Sequence, residues 1–548
     1  MNEAQLEFAA ASRSAINTLI ESDPVAATSL GDHRCDDRLP DRTDGAVTRL
    51  TAILDEHLAR LDAVDDVDLE LSEQVDLEIL RARVTAVRFD MAEVQRHKWD
   101  PLMWNPSSAL YLLTSRAFAP VEERWASARA RLQEVPAYLA DGRSTLGEMS
   151  GIHVETAIAQ LSGFDAVAER LSALADEVGT PIGDEIAAAE VAVAEHVSWL
   201  REQLPVSMRD PRLGVRLYSA AVWNHLDEEI GPGAIVEAAE SHLDEVTTRM
   251  REVAAEFLGT RVTEQGIVQR ALDQIAQRAP VTDATVLPIV RRALARCTEF
   301  VRDHDLVTVP DLDTRIIDMP EIHRGIAVAY CDAPGPLEDT DVATYVAVAP
   351  TPDDWTTEQV DSFYREYNEV LLHELTIHEA MPGHVLQLAH ARRDRHGSLV
   401  RRFGRSGVFV EGWAVYAEQM MLDAGYTANA EPDAGQAIAL QHLKMQARMS
   451  LNAILDVRVH GGDIVEHEAI DLLVRRGFQE PSEAQGKWRR ALLTATQLPT
   501  YFVGYLAVRS IADDLRVLHP GWSSRQVHDL VLSEGSPGPR HLRALLGL

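Results

Sequence analysis

HEAMPGHVLQ, running from His378 to Gln387, sets the reading of the whole chain. A His-Glu pair followed by a second His marks a helix that grips a metal. The usual spacing is i, i+4, because a helix turns about 100° per residue and two imidazoles four apart fall about 40° apart on one face. Here the second His comes six residues after the first, about 240° round a regular helix. Pro382 removes a backbone donor and clashes with the preceding turn, while Gly383 tolerates backbone angles closed to other residues. The expectation is a helix broken or bulged at Pro-Gly, so that His384 returns to the face of His378.

A competing pattern lies just upstream. HELTIH, from His373 to His378, places Glu374 and His378 at i, i+4 on one face. Spacing alone leaves both patterns open. Downstream, EGWAVYAEQMML starts at Glu411, and Glu411, Ala414, Val415 and Glu418 share one helical face. A catalytic zinc takes three protein ligands and keeps a position open for water, and Glu411 is the third ligand this pattern offers. Small Ala414 would let another helix approach. Glu418, two turns on, is placed to orient a ligating His as an acceptor behind it. The competing reading of the two carboxylates is a solvated helix pair.

Outward from this segment, helical periodicity dominates. VEERWASARARLQEVPAYLADG is one example, and SHLDEVTTRMREVAAEFLG, stopping at a Gly suited to a helix end, is another. Between Leu306 and Ala349 the composition changes: LVTV, GIAVAY and TYVAVAP are short β-branched runs separated by Pro and Gly, which predicts a small sheet. Helices return at Thr356, whose spacing to Gln359 is that of a capping box. The fold class expected is mainly α, with a small β-sheet preceding the metal-binding helix. A helical portion, 1–305, and a portion bearing the site, 306–548, are expected to form one compact unit.

Bulk properties exclude several classes. Lys and Arg number 52 against 86 Asp and Glu, a net charge of −34, which argues against nucleic acid or an anionic membrane as a general partner. The three cysteines, Cys35, Cys297 and Cys331, are too few and scattered for a disulfide framework or a Cys-rich zinc site. The first twenty residues lack a basic stretch followed by an apolar run, and no segment approaches the ~18 apolar residues of a membrane span. These features lead to an expectation of a cytoplasmic protein.

HEAMPGHVLQ followed by EGWAVYAE resembles the bacterial family called domain of unknown function 885, itself similar to the gluzincin metallopeptidases. SDPVAATSLGDHRCDDRLPD near the start, with LDVRVHGG and LPTYFVGYLAV near the end, extends the resemblance over most of the chain. EGWAVYAE is also similar to the E-G-F-A-x-Y-x-E segment of gluzincin aminopeptidases, whose first Glu binds zinc. The resemblance implies a large helical metallopeptidase-like architecture. It also implies one zinc per chain on His378, His384 and Glu411, with Glu379 as catalytic base and His373 and Glu374 in supporting roles. Two segments depart from the family: D-T-G-L-H is replaced by Asp456-Val457-Arg458-Val459-His460, and P-G-Q-A-x-A-Y by Leu498-Pro499-Thr500-Tyr501. These changes bear on the substrate pocket more than on the metal.

Peptide hydrolysis needs a carboxylate to take a proton from water and return it to the leaving amine, and Glu379, directly after a ligand, is placed for this. An oxyanion donor is also needed. His460, at a helix end with Asp456 one turn earlier to orient it, and Tyr501 are the candidates. The competing readings are a helix cap for His460 and a core aromatic for Tyr501. TYVAVAP, read as an edge strand, could hold an extended substrate by its main chain; an ordinary sheet strand is the alternative. The basic run RRDRHGSLVRRFGRSG, from Arg392 to Gly407, could receive a substrate carboxylate, although basic residues also suit a helix C-terminus ending at Gly397. The function expected is a zinc-dependent hydrolase of short peptides. A non-peptide amide or ester hydrolase is one alternative, and a helical scaffold with a vestigial metal site is another.

Overall fold

A computed structural model of the chain describes residues 1–319, 328–352, 355–393, 397–427 and 432–548. Helix accounts for 72 % and strand for 3 %, which puts the protein in the mainly α class. We label the helices that build the site α1 (Pro232–Leu258), α2 (Asp283–Asp303), α3 (Glu369–Glu379), α4 (His384–Arg393), α5 (Gly407–Asp423), α6 (Pro432–Gly461) and α7 (Thr500–Leu518).

Local sequence sets where these helices stop and start. α1 ends at Gly259, whose φ of 61° is the left-handed cap that a residue without Cβ adopts readily. The capping box expected at Thr356 forms, with the Thr356 side chain accepting from Gln359 N–H and the Gln359 side chain from Thr356 N–H. α1 packs along α6, and α5 crosses α7. That second crossing is close because two glycines meet: a Cβ on Gly412 would lie 2.3 Å from the Gly504 carbonyl carbon. The small residue that admits the neighbouring helix is therefore Gly412, not Ala414.

Three large apolar clusters and two small ones form among the described residues. The largest gathers residues from Tyr218 to Leu542, so it runs across position 305 and surrounds α3 to α7. A second lies among the helices between Trp104 and Leu200, and a third joins the N-terminal helices to Leu337, Val400 and Phe403.

The small sheet precedes α3, as expected, but its strands differ from those expected. β1 (Thr314–Asp318), β2 (Ala329–Asp332) and β3 (Thr344–Val348) lie in the order β1-β3-β2, with β1 parallel and β2 antiparallel to β3. LVTV is not a strand. Leu306 and Val307 sink into the main core, while His528 Nδ1 donates to Leu306 O and Thr308 N–H donates to Asp529, so side chains take the place of a ladder. Residues 325–327 of GIAVAY lie outside the described residues. TYVAVAP forms the central strand, not an edge, so it has no free main chain for a substrate. The strand turned toward the candidate site is β2.

Candidate metal centre

α3 starts at Asn368, whose side chain accepts from the N–H groups of Val370 and Leu371, and it stops at Glu379. The next four residues turn the chain before α4 begins at His384. Gly383 N–H donates to Ile377 O at 3.0 Å, Leu386 N–H donates to Ala380 O, and Trp413 of α5 ties the turn down by donating to Pro382 O at 2.9 Å. The helix is thus broken, not merely bulged, and Met381–Pro382 is cis. Gly383 is demanded by space: a Cβ there would sit 1.8 Å from His378 O. The break brings the two imidazoles together, with ring centroids 4.8 Å apart and planes at 87°.

Glu411 closes the group. Its Oε2 lies 3.5 Å from His378 Nε2 and 3.4 Å from His384 Nε2. Donors that hold one zinc tetrahedrally at about 2.0–2.1 Å stand about 3.4 Å from each other. The three side chains therefore have the mutual spacing of a zinc site built from two imidazoles and one carboxylate. Burial opposes ionisation of Glu411, but the hydrogen bonds and charges of the two imidazoles hold its carboxyl well below the ordinary range. Burial likewise opposes protonation of His378, yet Glu411 and Glu418 hold it well above its usual value.

Glu418 accepts from His378 Nδ1 at 2.7 Å, which fixes the ring and turns Nε2 toward Glu411. Glu379 is buried and points back at the sheet, where it accepts the Cys331 N–H of β2 at 3.0 Å. Burial raises its pKa, with the His384 and His378 charges acting in the other direction. Tyr501, at the first turn of α7, has its ring centroid 6.3 Å from that of His378, and its hydroxyl accepts from Arg490 at 3.2 Å.

The upstream pattern is not assembled. His373 bonds to the Tyr426 hydroxyl, and Cys297 Sγ lies 3.7 Å from it. Glu374 joins Glu418 and His442 in a second group of donors that could hold a metal. There, however, His442 already uses both nitrogens, toward Glu374 at 2.7 Å and Gln419 at 3.0 Å, with each member of the group almost wholly buried. That group is a buried brace behind His378 with no open side.

His460 and Asp456 are also placed differently from expectation. His460 Nε2 faces the carbonyls of Ala491 and Thr494, its Nδ1 accepts from Leu213 N–H, and its ring stacks on Tyr218. Among the described residues, no bond or ring contact joins it to the metal cluster, and neither nitrogen is left to serve an oxyanion. Asp456 does not bond to it either; it accepts from the Tyr218 hydroxyl and Thr496 N–H. Both side chains secure the segment 491–496 that leads into α7. Three contributors lay outside the sequence reading: Arg490, His442 and the Cys331 main chain, none of them part of a local motif. Trp413 stands inside EGWAVYAE, but its bond to Pro382 O is not written in that motif.

A cavity of about 480 Å³ adjoins this segment, walled by Thr496, Gln497 and Thr500 on one side and by residues such as Leu19, Val87 and Met103 of the N-terminal part on the other.

Fold and site define a mainly helical protein with a cluster of two buried His and one half-buried Glu behind a Pro-Gly break. The chain belongs to the family described as bacterial protein of unknown function (DUF885), matched over residues 24–546. No curated protein matches it. It is similar to a solved protein from Shewanella oneidensis, at 28 % identity over 99 % of this chain and 100 % of that one, with a TM-score of 0.80. A second, from Colwellia psychrerythraea, shares the fold at 17 % identity over 100 % and 99 %, with a TM-score of 0.81. Both are described as a "putative lipoprotein", the first "of unknown function". A lipoprotein is held at a membrane by lipid, and on that finding the cytoplasmic expectation is withdrawn. Among the described residues, no helix is long and apolar enough to cross a membrane.

Proposed function

We propose that this protein is a zinc-dependent hydrolase of short peptides, with a gluzincin-like site. His378, His384 and Glu411 would hold the metal. The observation that carries the reading is the pair of carboxylate–imidazole separations, 3.4 and 3.5 Å, which leaves room for an ion at the centre. When bound, zinc supplies a Lewis acid for a carbonyl and acidifies a water. Glu379 takes that water's proton and returns it to the leaving amine; its buried carboxyl, with a raised pKa, suits both halves of the task. Tyr501, held by Arg490, is the remaining candidate for the oxyanion donor. β2 supports a peptide as substrate by its place: it is an edge strand beside Glu379, which already holds its Cys331 N–H. The cavity beside segment 491–496 reaches Thr500, next to Tyr501, and has the volume for a ligand of a few residues.

Elemental analysis tests the metal. The wild-type protein is expected to carry one zinc per chain, lost in Glu411→Ala and kept in Glu374→Ala. Loss only in Glu374→Ala would move the metal to the brace behind His378, and a wild-type protein that takes up no zinc would sink the reading. Glu379→Gln is expected to keep zinc while turnover falls by about 10²–10⁴-fold or more. Normal turnover by that variant would remove Glu379 from the role of base.

A further inference from the structure

We propose that Arg405 binds a free carboxylate of the substrate beside Glu379, which makes short peptides with an acidic group next to the scissile bond the preferred substrates. This rests on the hydrolase reading for its chemistry. The basic run from Arg392 to Gly407 brings several arginines to one recess, lined also by Pro334, Pro336 and by Leu388 of α4, the helix that starts at His384. Most are already engaged. Arg392 donates to Thr340 O and Arg402 to Pro336 O, while Arg401 pairs with Asp76 and Glu534. Residues 394–396 of the run lie outside the described residues. Arg405 differs. Among the described residues it has neither a hydrogen bond nor an ion pair, and its side chain is exposed.

Its position explains why that matters. Arg405 directly precedes Ser406, the N-cap of α5, and Glu411 lies on the second turn of the same helix. Enough protein surrounds its guanidinium that desolvation lowers its pKa, and the groups opposing that effect are Cys331 and Glu411. A side chain both wet and crowded lines a cleft, not a convex surface. Cys331 is the residue whose N–H holds Glu379, so Arg405 approaches the centre from the Glu379 side. A guanidinium left without a partner in a cleft presents a planar fork matched to a carboxylate. Glu411 is not bonded to it; its Oε2 faces the two imidazoles. Two sources offer the carboxylate: the peptide's C-terminus or an Asp or Glu side chain.

The experiment uses the zinc-loaded Glu379→Gln protein, in which binding is read without turnover. Its probes are tripeptides paired as C-terminal acid and amide, and as Glu- and Gln-containing amides. The anionic member of one pair is expected to bind about 10–100-fold more tightly than its neutral twin, the range of a charge-assisted fork. Adding Arg405→Gln should bring that ratio to near one, with binding of the neutral twin and the zinc content unchanged. Arg405→Lys should restore only part of it. Whichever pair shows the preference identifies the source of the carboxylate. Absence of any preference in the parent, or a preference that survives Arg405→Gln, would overturn the proposal. Turnover by the Glu379-bearing protein is a separate readout. Acid-selective binding without peptide hydrolysis would sink the hydrolase reading and keep Arg405, and hydrolysis indifferent to the carboxylate would do the reverse.

Discussion

At the scale of single residues, the site depends on an atom that is missing. Gly383 packs so tightly on the end of α3 that any side chain would collide with His378 O. That oxygen belongs to the backbone of His378, a proposed ligand, so the collision cannot be relieved by a rotamer change. Gly383→Ala is therefore expected to displace His384 from His378, lowering stability by about 2–4 kcal/mol and abolishing stoichiometric zinc. Denaturant unfolding and metal analysis on one preparation check both, and a variant that keeps its zinc would mean that the turn re-forms around the methyl group. Glu418 acts at the same scale by a different route. It touches no metal position but holds His378 Nδ1 at 2.7 Å. Glu418→Gln is expected to weaken zinc binding by about 10–100-fold. Competition with a chelator of known affinity measures this, and unchanged affinity would show that the helix alone orients the ring.

At the scale of elements, the end of α6 and the start of α7 divide the work that the sequence had assigned to two oxyanion donors. His460 and Asp456 grip segment 491–496, where Thr496 holds a left-handed φ of 64°, and that segment delivers Tyr501 to His378. His460→Ala is expected to lower the thermal midpoint, removing about 1–3 kcal/mol by leaving buried carbonyls unpaired. Tyr501→Phe should leave midpoint and zinc unchanged while kcat drops by about 10–10³-fold, if its hydroxyl meets the oxyanion. The reverse pattern, a rate loss for His460→Ala at unchanged stability, would return His460 to the chemistry. The contrast between these residues shows what the sequence could reveal. The His378–His384–Glu411 group was legible because two short motifs encode it and because Pro382-Gly383 announced its own break. The helix caps at Thr356 and Gly259 were legible for the same local reason. His460 was misread because its partners lie more than thirty residues away, both before it and after it, and a His at a helix end looks the same whether it faces solvent or a neighbouring loop. TYVAVAP was misread as an edge because an apolar run cannot say how many strands flank it, and β1 was hidden because its two isoleucines stand between Arg315 and Asp318.

At the scale of the whole molecule, the N-terminal helices are tied to the walls of the site by one titrating side chain. His33 bonds through Nδ1 to Asp36 at 2.8 Å and through Nε2 to Glu338 at 3.0 Å, with its ring stacked on Phe118 at 3.9 Å. Beside it, Gly31 adopts a φ of 85° where a Cβ would strike the Glu338 backbone, and Leu337 N–H donates to Leu30 O. Residues 337 and 338 directly follow Pro336, which lines the recess of Arg405, so this clamp joins the start of the chain to that recess. Burial opposes protonation of His33, but the two carboxylates outweigh it and raise its pKa from 6.5 to about 9. Because the folded value lies above the unfolded one, the stabilisation is complete below pH 6.5 and is lost as pH rises through about 9. Its size is on the order of 1–3 kcal/mol, once discounted for the solvent that reaches the ring. Glu338 behaves oppositely. Burial raises its pKa, but the His33 hydrogen bond leads the effects that leave it below 4.5, so its contribution fades only in acid. Urea midpoints should therefore decline between pH 6.5 and 9 in the wild-type protein, and His33→Gln should flatten that decline by lowering the midpoint at pH 6 and leaving it unchanged above pH 9. An equal loss at both ends of the range would show that the ring's stacking on Phe118, not its charge, holds the N-terminal helices against the site.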